Sequence, residues 1–214
     1  MQLLKEGRYL DALDSAEAAA AKALFPLQTL EQMRPMIGSY APLPPLRPGS
    51  PPLPSDMAAK LQHAAAEDAL PLILKAATRT DIVILNEAHH SPRDRAFALE
   101  VARALRPLGY TVLAVEAFTN HPPVITALAR EGFPRLNSGL YTAEPVFGDF
   151  VRQALALGYT PIAYEQTAAQ QERGEPGTPG REQAQAENLA AVVRANPGRK
   201  LFVYVGFSHV AEAP

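Results

Sequence analysis

Residues 82–94 read Ile82-Val83-Ile84-Leu85-Asn86-Glu87-Ala88-His89-His90-Ser91-Pro92-Arg93-Asp94. The opening run is apolar and mostly β-branched, the composition of a short buried strand. Ser91 is a favoured N-cap, Pro92 suits the first helical position and Asp94 completes a variant capping box. A helix therefore starts directly after the His pair, with Phe97, Val101, Leu105 and Leu108 as its apolar face. Strand, polar loop and helix make the first half of a parallel crossover unit, and the loop holds Glu87, His89 and His90.

The same cadence repeats along the chain. Strands are expected at 82–85, 112–116, 161–165 and 201–206, and helices at about 92–108, 121–131, 145–157 and 181–195. Alternating strands and helices imply right-handed crossovers, hence an α/β fold with a mostly parallel sheet and helices on both faces. The strands read as continuous apolar runs, as strands buried on both faces do. Their carboxyl ends run into Glu87 with the His pair, Glu116, Glu165 and His209, in a chain with five His. Ligands of open parallel sheets bind in the crevice outside those ends. One polar residue after a strand is ordinary; ionisable residues at successive strand ends indicate a shared site.

Upstream, residues 1–41 are read as a helical appendage, with an amphipathic helix over Leu4–Ala23; Gly7-Arg8-Tyr9 with Ala12-Leu13 looks like half of a tetratricopeptide repeat but has no second copy to stack on. Residues 42–54 are a Pro-rich connector, which runs extended. The α/β domain is placed at 55–214, opening with a helix capped at Ser55-Asp56 and a second at about 70–77. Residues 166–180 lack a large apolar anchor and read as a mobile loop beside the site.

At 214 residues with net charge -2, the chain has one α/β domain's worth of length and no electrostatic footprint for nucleic acid. It has no run long enough for a membrane span and no apolar leader, so a cytoplasmic location is expected, or a periplasmic one if the chain is a processed form. The absence of Cys excludes thiolate nucleophiles and thiolate metal sites, leaving His, Asp and Glu as strong ligands. There is no P-loop, dinucleotide fingerprint or Gly-x-Ser-x-Gly elbow. A small-molecule substrate is the partner these features fit.

Adjacent His residues in an extended loop point to opposite sides, so only one of His89 and His90 faces the site, and the residues do not choose between them. Neutral imidazole is the form a general base or metal ligand needs. Arg181, at the start of a helix near carboxylates, can orient a Glu or stabilise an oxyanion. Arg93 and Arg95 read as exposed salt-bridge residues, Glu165 as a site carboxylate or a solvated one, and His63 and His121 as structural or solvent-facing.

Glu87-Ala88-His89-His90 resembles the Gly-Glu-x-x-His motif of erythromycin esterase-like hydrolases, and equally the Gly-Glu-x-His motif of ChaN-like haem-binding and TraB/Tiki proteins, which selects His89. Glu116 looks like the family's second-strand Glu. Arg181-Glu182 through Asn188 is similar to its Arg-Asp-x-x-Met-Ala-x-Asn helix start, and Gly206-Phe207-Ser208-His209 to its Gly-x-x-His strand end. The resemblance covers about residues 80–210. Asn86 stands where the family has Gly, and the chain stops shortly after His209, where relatives continue.

The resemblance implies a hydrolase of ester or amide bonds in which Glu87 and His90 activate water, His209 and Glu116 complete the acid/base set, and Arg181 stabilises negative charge. A divalent metal (Zn, Mn or Fe) would be held by His89 or His90, Glu116 and His209 with an open position. The alternative is a haem- or iron-binding protein of the ChaN type, with Tyr141 or Tyr164 as axial ligand by residue type.

Overall fold

Gly7 divides the first expected helix. Its φ of 74° is a left-handed conformation that favours glycine, so the chain folds back between α1 (Gln2–Lys5) and α2 (Tyr9–Ala20). The computed structural model describes residues 2–24, 26–39, 52–174 and 177–210; of the Pro-rich connector only 52–54 fall among them, and the rest lies outside the described residues. A third helix, α3 (Leu27–Met33), continues into a 3-10 turn at Arg34–Ile37. Leu4, Ala12, Leu13, Ala16, Leu30, Met33 and Met36 close on one another in a satellite core of their own.

Helix α4 (Ser55–Gln62) buries no residue and starts without the side-chain cap expected from Ser55-Asp56; Pro54 holds the cap position. Helix α5 (Ala69–Ala77) is capped by Asp68, whose side chain accepts from the Leu70 N–H at 3.1 Å. Then come β1 (Ile82–Glu87), α6 (Pro92–Leu105), β2 (Tyr110–Val115), α7 (Pro122–Glu131), α8 (Pro145–Ala156), β3 (Thr160–Ala163), α9 (Ala168–Arg173), α10 (Thr178–Ala195) and β4 (Lys200–Gly206). This is an α/β protein whose four-stranded sheet is parallel throughout, in the order β1-β4-β2-β3.

The order explains the layering. From β1 to β2 to β3 the chain moves one way across the sheet, and from β3 to β4 it moves back. Right-handed crossovers in opposite directions put their helices on opposite faces. Accordingly α6 and α8 pack with Val83, Leu85, Leu113, Val115, Phe202 and Tyr204, while Leu189 and Val192 of α10 pack with Val112, Ala114, Leu201 and Val203.

Strand β1 departs from the expected two-sided burial. It is an edge strand, and on the α10 face Ile82 is 39% and Ile84 52% exposed. Asn86 stays inside the strand, paired with Val205, so the missing glycine at that position strains nothing. The segment expected as a mobile loop contains α9, opened by a reciprocal capping box between Thr167 and Gln170. No described helix is long and apolar enough to cross a membrane.

Candidate active site

Glu87 closes β1 beside Gly206 at the end of β4, and its side chain turns toward α6. Its Oε2 accepts from Arg95 Nε at 2.7 Å and from the Tyr204 hydroxyl at 3.1 Å; its Oε1 stands 2.8 Å from His89 Nδ1. Arg95 also donates to Glu144 at 3.0 Å and to the His89 carbonyl at 2.6 Å. Glu144 in turn caps α8, accepting from the Val146 and Phe147 N–H groups at 2.9 and 2.8 Å. One guanidinium thus ties a strand end, a loop and a helix start together, all out of water: Arg95, Glu87 and Glu144 are 1%, 3% and 1% exposed. Burial alone would lower the Arg95 pKa, but Glu87 and Glu144 outweigh it and hold it above the ordinary arginine value.

The loop is fixed from its other side by Asp94, which accepts from the Ala88 N–H and the Ser91 hydroxyl, each at 2.8 Å. Ser91 therefore bonds the Asp94 side chain instead of capping the backbone directly. Because Arg95 and Tyr204 donate to Glu87, the carboxyl presents acceptors, and His89 Nδ1 is the donor in their contact. In the neutral ring the lone pair is then on Nε2. A Cβ placed on Gly206 would lie 2.8 Å from His89 Nε2 and 3.2 Å from Glu116 Oε2, so the imidazole and the second carboxylate face each other across a glycine. Tyr141 stacks on the His89 ring, centroids 4.4 Å apart at 14°.

Glu116 follows β2 and extends the ladder through its N–H to the Tyr204 carbonyl at 3.0 Å. Its Oε2 accepts from the Gly206 N–H at 2.7 Å, and its Oε1 accepts from Arg181 Nη2 at 2.5 Å and lies 3.0 Å from His209 Nε2. Burial pushes the Glu116 carboxyl up, but the Gly206 N–H, Arg181 and His209 together hold it below its ordinary value. Arg181, from α10, also grips Glu165 through Nε at 3.0 and 3.2 Å and through Nη2, and its Nη1 is 3.1 Å from His209 Nε2. Its pKa is raised despite burial, because Glu165 and Glu116 both favour the cation. Glu182 Oε1 stands 2.6 Å from the far nitrogen of His209, off the line of a hydrogen bond.

Glu87, His89, Glu116, Arg181 and His209 are thus brought together, and Glu165 joins them. His90 is not: its Nε2 is buried and has no hydrogen-bond partner among the described residues. The set expected for a metal was His89, His90, Glu116 and His209. Among the described residues no three His, Asp or Glu side chains form a metal-holding group, and Glu116 is neutralised by the Arg181 guanidinium. The two Tyr residues considered for haem are engaged elsewhere: the Tyr164 hydroxyl with the Tyr204 carbonyl at 3.3 Å, Tyr141 with His89 and Gln32.

Arg95, Glu144 and Tyr204 were not anticipated as site residues, Tyr141 was considered only as a haem ligand, and Arg95 is buried where an exposed salt bridge was expected. A signal for it existed. Arg95 lies in helical register with Ala98 and Ala102, small residues that are fully buried, so the inner face of α6 has room for a guanidinium.

No family model and no curated protein matches this chain. Solved structures do. A crystal structure described as bacterial protein toxins aligns with a TM-score of 0.51 at 20% identity, over 74% of this chain and 34% of its own. The RRSP effector domain of a MARTX toxin from Vibrio vulnificus CMCP6 aligns at 0.48 and 18%, over 66% and 32%, and the type III effector HopBA1 at 0.42 and 18%, over 64% and 71%. The chain spans about a third of the first of these, and at such identities the likeness is one of fold. The resemblance to erythromycin esterase-like, ChaN-like and TraB/Tiki proteins is thereby corrected: no family model matches, and the structure that aligns above 0.5 is described as one of bacterial protein toxins. Glu and His at successive strand ends follow from where a parallel sheet places a site, and do not single out a family.

Proposed function

We propose that the chain is a hydrolase of ester or amide bonds in which His89 is the general base. Glu87, itself held by Arg95 and Tyr204, fixes the ring so that Nε2 points toward Glu116 over Gly206. This is the arrangement by which a buried carboxylate sets the tautomer of a catalytic imidazole. Water placed at Nε2 loses a proton to His89 as its oxygen attacks the carbonyl carbon; the C–O or C–N bond then breaks as the His89 imidazolium returns that proton to the leaving group. Arg181, partly exposed on the opposite side, faces the carbonyl oxygen, where its N–H donors and positive charge lower the barrier. Glu116 and His209 hold the guanidinium in place. The shared fold sets no substrate.

The observation that carries this reading is the 2.8 Å contact between Glu87 and His89 Nδ1, with the opposite ring edge against Gly206. Hydrolysis of a panel of activated esters and anilides tests it, with His89→Ala compared against His90→Ala. His89→Ala should lose about 10²–10⁴-fold in kcat, the usual contribution of a general base. Equal activity in the two variants, both folded by circular dichroism, would remove His89 from the chemistry.

A further inference from the structure

We propose that the cavity between the N-terminal helices and the loop after β2 is the acyl pocket of this site, accepting the apolar chain of an ester or amide whose carbonyl stands at His89. The inference rests on the hydrolase reading above. The cavity holds about 370 Å³; Leu4 and Tyr9 from the appendage and Leu136 and Leu140 from the main domain give it apolar walls, and Lys5 and Asn137 add a polar edge. That volume is within the range of small-molecule sites, roughly 300–1,000 Å³, and a mostly apolar lining with a few polar groups is what such sites have. Leu136 and Leu140, 53% and 39% exposed, offer to it the apolar surface that neither core covers.

Its far wall is held rigid. Gly139 presses so closely on the exit of β2 that a Cβ there would lie 1.9 Å from the Ala117 carbonyl oxygen, and Ala117 is the residue after Glu116. The Thr119 N–H donates to the Ser138 carbonyl at 2.8 Å and the Thr142 hydroxyl to the Gly139 carbonyl at 2.8 Å. On the near wall Gly7 brings the α1 turn against Leu136; a Cβ on Gly7 would stand 3.4 Å from Leu136 Cδ1. Both walls are therefore formed before any ligand arrives, which spares the ordering cost of binding.

Tyr141 connects the cavity to the chemistry. It lies between two lining residues, Leu140 and Ala143, its ring stacks on His89, and its hydroxyl donates to Gln32 Oε1 of the appendage at 3.1 Å. One turn of chain thus forms the cavity wall and the ceiling of the base. A chain seated in the cavity leads its carbonyl end past Tyr141 toward His89, and the N-terminal helices become part of the substrate site.

The chain has no Trp, so Leu136→Trp, at an exposed rim position, introduces a sole reporter. Titration with octanoate should move its emission to shorter wavelength and saturate, with hexanoate binding about tenfold more weakly for its two fewer methylenes. Ala143→Phe in the same background should abolish the response, and Leu140→Asp serves if that variant melts early. No response to octanoate, or the same response with the blocking substitution present, overturns the pocket whatever the protein hydrolyses. Turnover is read separately on p-nitrophenyl acetate and octanoate. A kcat/KM that rises with chain length, and loses that rise in Ala143→Phe, supports the proposal; chain-length independence overturns it. Saturable octanoate binding without turnover of either ester would keep the cavity as an apolar-ligand site and remove its service to hydrolysis, and with it the hydrolase reading.

Discussion

The site contains two carboxylate–imidazole pairs, each backed by an arginine, and they are built in opposite ways. In the first, Arg95 and Glu87 have side chains 1% and 3% exposed, and the cation reaches from α6 into the core. In the second, Glu116 and His209 are also buried, but the Arg181 side chain that backs them is 36% exposed and its other partner Glu165 25%, at a rim formed by α10. In the proposed hydrolysis, similar groups at similar distances therefore do different work. The sealed pair has no access to substrate except through the outer edge of His89, so its carboxylate and arginine act by position. The open pair presents its guanidinium to whatever enters, so it is suited to meet charge that develops on a substrate.

The largest effect should come from breaking the sealed pair. Arg95→Met leaves Glu87 and Glu144 buried without their cation, a loss of about 3–5 kcal/mol. For a domain of this size that is a fall in Tm of about 10 °C. Arg181→Met strips a cation that is itself partly exposed and leaves one of its two carboxylates, Glu165, in contact with water, so its cost should fall between the ~0–1 kcal/mol of a surface pair and the ~3–5 kcal/mol of a sealed one. Thermal melts of the two variants compare them directly, and equal shifts would mean that the difference in burial carries no energetic weight.

A smaller effect is expected where the two pairs meet. Gly206→Ala puts a Cβ 2.7 Å from His89 Cε1, closer than real contacts allow, while its backbone N–H to Glu116 survives. His89 must move, and a displacement near 1 Å in a catalytic base costs about 10²-fold in rate. The variant should keep a near-normal melt and lose kcat. Retained kcat would show that the ring position over Gly206 is not used, and the sealed pair would then be structural alone.

The two pairs also differ in how visible they were in the sequence. Glu87, Glu116 and His209 stand at strand ends, Arg181 opens a helix, and apolar runs reveal both kinds of element, so local pattern located them. The choice between His89 and His90 was out of reach, because it depends on Asp94 pinning Ala88 and Ser91 and on Arg95 gripping the His89 carbonyl. Arg95 itself looked like one more arginine on a polar helix; its burial is decided by Glu144, distant along the chain and brought near by the packing of α8 on α6. The exposure of Ile82 and Ile84 has the same kind of origin. A run of four apolar residues cannot say that β4, the last strand, will insert beside β1 and leave it at an edge. What local periodicity missed was in each case set by contacts between distant segments.

The smallest expected effect isolates the open pair by its charge. Glu116 has a folded pKa below its ordinary 4.5, because the Gly206 N–H, Arg181 and His209 overcome the cost of burial. A lowered carboxylate contributes stability that is complete above the unfolded pKa and is lost as pH falls through the folded one, since the unfolded chain takes up its proton first. Glu131 and Asp149 are lowered too, by surface arginines, so the acid limb of the wild type alone does not report on the site. The difference between wild type and Glu116→Gln does, because glutamine keeps an acceptor for Gly206 and removes only the charge. Urea midpoints measured at pH 6, 5, 4 and 3 should show that difference constant at pH 6 and 5 and shrinking below pH 4.5. A difference that stays level to pH 3 would mean that Arg181 is not drawn to Glu116 by charge, and the second pair would lose the electrostatic role that sets it apart from the first.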